Sequence, residues 1–340
     1  MRWHRIASVV AIASAWLGVC SATQTTPAAS AELVPSPPGA ISVATVPEVT
    51  GPQQSTHPDA SRYSRRTVGS VPSGVNDFSC TPTPMHPRPV VLAHGSDSNA
   101  YSDWAALGPR LANSGYCVFA LDYGGKPGAD NYGTEDMTLS GEQVANFVDR
   151  VLTATGASQL DIVGYSQGAT VSRYYMNRLG GAAKVNQWIG LASPTYGGTL
   201  YGVTPLLDRI PGALEALSAL LPATLLAPAV AQQREGSDFM ETLNRGGDTV
   251  PGPKYTTIGS RVDEVIQPTS SMALRGPGAT NIVVQDLCPQ NLSGHFRMPY
   301  DEFTLQLIVN TLDPSTAVPP VCAPVPLGAG VVEMIIADNS

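Results

Sequence analysis

Charged side chains are scarce in this chain. Only 14% of its 340 residues are Asp, Glu, Lys or Arg, and they leave a formal net charge of −8. No run of Lys or Arg offsets that acidic balance, which excludes the basic surface that nucleic acid requires. Histidine is rarer still, with five in the whole sequence, so imidazole chemistry has few candidates. Cysteine is also limited to five, none in a metal-ligand spacing such as C-x-x-C. What is present is 43% hydrophobic sequence with 33 Gly and 30 Pro. That is enough for the core of one large, loop-rich α/β domain with no metal to hold it together.

The N-terminus has the form of an export leader. Arg2 and Arg5 supply a basic start and Ile6 to Val19 an apolar stretch too short to span a membrane comfortably. Ala29-Ser30-Ala31 fits a cleavage site, with Ala22 as an earlier option, so residues 1–31 are read as a signal peptide. Leu17-Gly18-Val19-Cys20 is a poor lipid-attachment box because Val precedes the cysteine, and anchoring at Cys20 is not expected. Export leads to an oxidising compartment, where Cys80, Cys117, Cys288 and Cys322 should be closed. Of their three possible pairings, the sequence-local one is expected: Cys80–Cys117 and Cys288–Cys322, each clamping its own half.

Residues 32–74 are rich in Pro, Ser, Thr, Ala and Val with little apolar periodicity, which predicts a disordered linker or pro-segment. The catalytic domain is expected over 75–325, with 326–340 a tail. Short apolar runs and helical patterns alternate through it. Strands are predicted at Pro89–Ala93, Tyr116–Leu121, Leu160–Val163, Gln187–Ala192, Tyr255–Ile258 and Asn281–Val284. Helices are predicted at Asp103–Asn113, from a capping box at Ser140 and Gln143, at Gln167–Leu179, and near Tyr300–Thr311. Such alternation implies a mostly parallel sheet with helices on both faces. An apolar helical insertion at 199–245, containing "PLLDRIPGALEALSALLPATLLAPAV", interrupts it. It reads as a cap beside a site for greasy substrates; extra core-covering helices are the plainer alternative.

The chemistry centres on Gly164-Tyr165-Ser166-Gln167-Gly168. A serine before a helix is often only an N-cap. Here, however, a strand precedes it and a helix follows, the setting in which a strained turn lifts a nucleophilic hydroxyl above the sheet. A serine needs a base. His4 lies in the leader, His57 in the predicted linker, His86 in a segment expected to be solvent-exposed, and His94 at a strand end upstream of Ser166. In a nucleophile–acid–base chain order, His295 remains, in a loop after the last strand. Asp263 follows the Tyr255–Ile258 strand and is the expected acid, with Glu264 its neighbouring rival and Asp286 a weaker one. The oxyanion donors are expected to be the amides of Gln167 and of Ser96, in "LAHGSDS" at the end of the first strand.

Together "PVVLAHGS", "GYCVFALDYG", "VGYSQGA", "LASPTYGGT" and "VDEVIQP" resemble the secreted class 2 lipases of actinobacteria, over roughly residues 76–325. More distantly they resemble a yeast lipase in which Thr-Trp stands at Gly164-Tyr165 and a Gly-Thr-Gly loop at His94 to Asp97. The resemblance implies an α/β-hydrolase fold, a Ser166–Asp263–His295 triad, oxyanion groups at Ser96 and Gln167, no cofactor, and hydrolysis of carboxylic esters, often acylglycerols. It also implies the same two disulfide pairs. The leading expectation is a secreted, monomeric serine hydrolase meeting lipid or ester substrate, at a lipid–water interface where the substrate forms one. Polyester hydrolysis or acyl transfer would use the same residues. A non-enzymatic surface protein is disfavoured because Ser166, Asp263 and His295 are all intact.

Overall fold

The computed structural model describes residues 43–198, 227–331 and 334. Its centre is a six-stranded sheet built from β3 (Val90–Ala93), β4 (Val118–Leu121), β5 (Leu160–Tyr165), β6 (Val185–Leu191), β7 (Lys254–Gly259) and β8 (Thr280–Val283). The strand order is β4-β3-β5-β6-β7-β8, and every neighbouring pair runs parallel. A strand buried on both faces must be apolar throughout, which is why VVLA, VFAL and most of β5 and β6 read as unbroken hydrophobic runs. Successive side chains point to opposite faces. Val90, Leu92, Val118 and Ala120 therefore join one core cluster, while Val91, Ala93, Phe119 and Leu121 join the other.

The helices that cover these faces are α2 (Ala100–Trp104), α3 (Leu107–Asn113), α4 (Met137–Thr155), α5 (Gln167–Arg178), α6 (Pro228–Gln232), α7 (Asp238–Asn244), α8 (Val284–Leu287) and α9 (Glu302–Leu312). From β3 the chain moves outward to β4, then returns to lay β5 on the other side of β3. That reversal opens a crevice at the carboxyl ends of β3 and β5, the usual place for a ligand in an open α/β sheet.

Three local expectations differ from the structure. The helix expected over Asp103–Asn113 is two helices, α2 and α3, broken at Ala105–Ala106. In one continuous helix the Pro109 ring would collide with the carbonyl of Ala105; the break places Pro109 in the first turn of α3, where no amide partner is needed. The helix expected to be capped by Ser140 begins one turn earlier. Asp136 caps α4 by accepting from the amides of Thr138 and Leu139. Ser140 lies inside the helix and returns its hydroxyl to the Asp136 carbonyl. His86 is buried rather than exposed, with its ring stacked on Tyr116 at 3.8 Å.

The largest difference lies before the sheet. From residue 43 onward, the segment read as linker is folded. β1 (Val49–Gly51) pairs in parallel with β2 (Ser70–Pro72), and α1 (His57–Arg66) spans the distance between them. Thr56 caps α1, Pro58 occupies its first turn, and Arg65 and Arg66 lie at its negative end. The face that α1 buries is made of His57, Pro58, Ala60, Ser61 and Ser64. Those small and polar side chains carry almost no hydrophobic signal, which is why composition pointed to disorder. Residues 199–226 of the insertion lie outside the described residues; its remainder forms α6 and α7.

The structure closes disulfides Cys80–Cys117 and Cys288–Cys322, with Cα separations of 5.7 and 5.4 Å. Among the described residues no helix is long and apolar enough to cross a membrane.

Candidate active site

β5 ends at Tyr165 and α5 starts at Gln167, so one residue must make the whole turn. Ser166 does so at φ 50° and ψ −119°, a region that L side chains seldom occupy and that costs roughly 1–3 kcal/mol. Its two glycine neighbours make the turn possible by their lack of side chains. A Cβ on Gly164 would sit 2.5 Å from the Ala169 nitrogen, and one on Gly168 would sit 2.0 Å from the Ala93 carbonyl oxygen. Any larger residue would push α5 away from β5 and β3.

Ser166 holds the N-cap position of α5, yet its side chain makes no capping bond. Its Oγ instead lies 3.0 Å from His295 Nε2. The far nitrogen of that ring, Nδ1, lies 2.8 Å from Asp263 Oδ2. The other Asp263 oxygen accepts from the amides of Val265 and Ile266 at 2.8 and 2.7 Å, so a local turn fixes the carboxylate before it meets the ring. A carboxylate can only accept, so Nδ1 carries hydrogen and the neutral ring leaves Nε2 free to take the serine proton. Ser166, His295 and Asp263 are 7%, 4% and 1% exposed, and little water competes for these bonds. Burial pulls the His295 pKa down. The charge and hydrogen bond of Asp263, joined by Glu264 and Asp103, outweigh it and hold the pKa above 6.5.

The rival acids have other roles. Glu264 is buried and accepts the backbone amide of His295 at 2.5 Å. Gly294 permits this approach, since a Cβ there would lie 2.0 Å from Glu264 Oε1. Glu264 thus holds the loop that carries the imidazole, and burial raises its pKa against the amide bonds that lower it. Asp286 pairs with Arg261 at the surface.

The loop after β3 supplies the opposite wall. His94 is fully buried and stacked on Tyr123 at 4.3 Å; burial depresses its pKa to about 4, so it stays neutral. The Gly95 amide is taken by Asp103 Oδ2 at 2.6 Å, while the Ser96 hydroxyl accepts from Gln233 Nε2 at 2.9 Å. Gln167 is the first residue of α5, so its amide belongs to the unpaired set at that helix end. The two candidate oxyanion residues thus lie just past the carboxyl ends of adjacent strands, Ser96 after β3 and Gln167 after β5.

Sequence reasoning missed Asp103, His57 and Gln233. Asp103 is fully buried and also accepts from Ser98 Oγ at 2.6 Å and from His57 Nε2 at 2.9 Å. The available signal was the acid itself, charged and inside an apolar helical pattern.

A parallel sheet covered on both faces, with a strand–turn–helix elbow at its switch point, defines an α/β-hydrolase fold. Within that fold the chain belongs to the lipase (class 2) family, whose model matches residues 87–296. Triacylglycerol lipases of Pseudarthrobacter phenanthrenivorans and Burkholderia plantarii are 29% identical over 147 residues. Each match covers 42% of this chain, and 42% and 37% of those relatives' own lengths. In backbone, Aspergillus fumigatus lipase B is similar with a TM-score of 0.57 at 19% identity, over 79% of this chain and 63% of that one. The propeptide form of Bacillus licheniformis lipase BlEst2 gives 0.51 at 19% identity, over 72% and 54%.

Proposed function

We propose that this chain is an exported carboxylic ester hydrolase that cleaves acylglycerols through an acyl-enzyme. One observation carries the reading: the unbroken hydrogen-bonded series from Ser166 Oγ through His295 to Asp263, at 3.0 and 2.8 Å. His295 Nε2 takes the hydroxyl proton as Ser166 Oγ bonds to the ester carbonyl carbon. Asp263 holds the ring and stabilises the imidazolium. Charge developing on the carbonyl oxygen is met by the amides of Gln167 and Ser96, each donor of this kind being worth about 10²–10³ in rate. Collapse expels the alcohol with the proton from His295, leaving the acyl group on Ser166. Water then repeats the sequence and releases the acid.

An acylglycerol substrate is favoured by the triacylglycerol lipase relatives and by the apolar insertion. Gly198, which immediately precedes that insertion, donates its amide to the Gln233 carbonyl, and the Gln233 side chain donates to Ser96. The insertion is therefore tied to the oxyanion loop. The leader sequence and two disulfides favour export.

The test is hydrolysis of monoesters and triacylglycerol emulsions of increasing acyl length by wild type and Ser166→Ala. The reading expects turnover that favours longer acyl chains and falls by about 10⁴-fold or more in the variant. Full activity in Ser166→Ala would remove the mechanism. Strict preference for short water-soluble esters would remove the lipid assignment.

A further inference from the structure

The segment before the sheet sends one side chain under the site. His57 is the first residue of α1, which packs against α2, and α2 carries Asp103. The Asp103 carboxylate binds both ends of the oxyanion loop, taking the Gly95 amide and the Ser98 hydroxyl at 2.6 Å each. Between those ends Asp97 turns the chain at φ 51°. A fully buried carboxylate needs a partner close by. Its partner is His57 Nε2 at 2.9 Å, from 46 residues upstream. The other nitrogen of that ring faces the carbonyl of Phe296 at 3.2 Å, the residue after the base. The ring lies against Tyr300 at 5.5 Å, and edge-on to Tyr165, which precedes the nucleophile and bonds the His295 carbonyl.

We propose that His57 is a positioning residue for catalysis. Through Asp103 it sets the oxyanion loop, through Phe296 the loop of the base, and it registers the two against each other without touching the reacting atoms. The folded N-terminal segment is then part of the working site rather than a spacer. This rests on Ser166 and His295 acting as nucleophile and base.

Wild type is first labelled with a fluorophosphonate and the modified residue mapped. Labelling elsewhere than Ser166 would remove that underlying reading. With Ser166 labelled, His57→Phe keeps the stacking on Tyr300 and deletes both polar contacts. Because oxyanion donors are worth about 10²–10³, their misplacement should lower kcat about 10- to 100-fold with KM changed less than about twofold. His57→Gln can again donate to Asp103 and should recover much of that loss. Ser98→Ala loosens the same carboxylate from the other side and should lower kcat about three- to tenfold, again at constant KM.

A folded His57→Phe with wild-type kcat would overturn the inference. So would a loss matching only the fraction of protein unfolded, or a Gln variant no better than Phe. If His57→Phe does not fold, Ser98→Ala decides: kcat lowered at constant KM supports the inference, and wild-type kcat defeats it.

Discussion

At the residue scale, the site is shaped as much by missing side chains as by present ones. The collisions that Gly168 avoids involve backbone atoms of Ala93 and His94, which cannot rotate away as a flexible side chain would. Gly168→Ala should therefore destabilise the protein by about 3 kcal/mol or more and abolish labelling of Ser166. Denaturant unfolding and fluorophosphonate labelling measure the two effects. His295 gives a second expectation, in pH. Only its neutral form can take a proton, and Asp263 holds its pKa above 6.5, so kcat/KM should rise with pH along a limb centred above that value. Asp263→Asn removes the charge but not the burial. The limb should move to lower pH, while the rate falls by about 10³–10⁴. A pH–rate profile of the two proteins checks both the direction and the loss; an unmoved limb would mean that Asp263 does not act on this ring.

At the scale of elements, segments beyond the carboxyl ends of β3, β5, β7 and β8 deliver the residues, and the ends of the helices decide where the chain turns. Asp136 joins two such ends: it caps α4 and accepts from Gln232 Nε2, in α6, at 2.7 Å. Asp136→Ala should lower stability by about 1–2 kcal/mol, read as a lower denaturation midpoint with kcat nearly unchanged. What was legible at this scale followed from strong local signals. β3 to β8 are rich in apolar and β-branched residues, and Gly164 and Gly168 flank a serine that alone separates a strand from the helix after it. The beginnings of helices were less legible. Both Ser140 and Asp136 are good caps, and burial of Met137 selects the earlier one. Pro109 was the available sign that Asp103–Asn113 could not be one helix.

At the scale of the molecule, the harder features are those that join distant parts of the chain. The order Ser166, Asp263, His295 could be read because a parallel sheet returns each strand end to the same edge. The partnership of His57 with Asp103 could not, because α1 buries mostly small and polar groups and hydrophobic patterning is blind to them. Cross-links act over the same distances. Cys288–Cys322 closes a loop whose start also holds Asn291, which pairs with Val325 a few residues before His295. Replacing both cysteines by serine should cost about 2–4 kcal/mol from loop entropy and also lower kcat by loosening the base loop. Thermal unfolding alongside turnover separates these two effects; a variant that loses stability but keeps full kcat would show that the clamp does not reach the site.

The central claim is that a covalent ester forms on Ser166, and trapping it is the most direct test. Turnover of a slow ester is quenched in acid, the protein digested, and the peptides weighed by mass spectrometry. The account predicts the acyl mass on the peptide containing Ser166, and its absence in Ser166→Ala and in wild type quenched before substrate is added. An acyl group on another residue, or rapid turnover with no acylated peptide at any time, would contradict it.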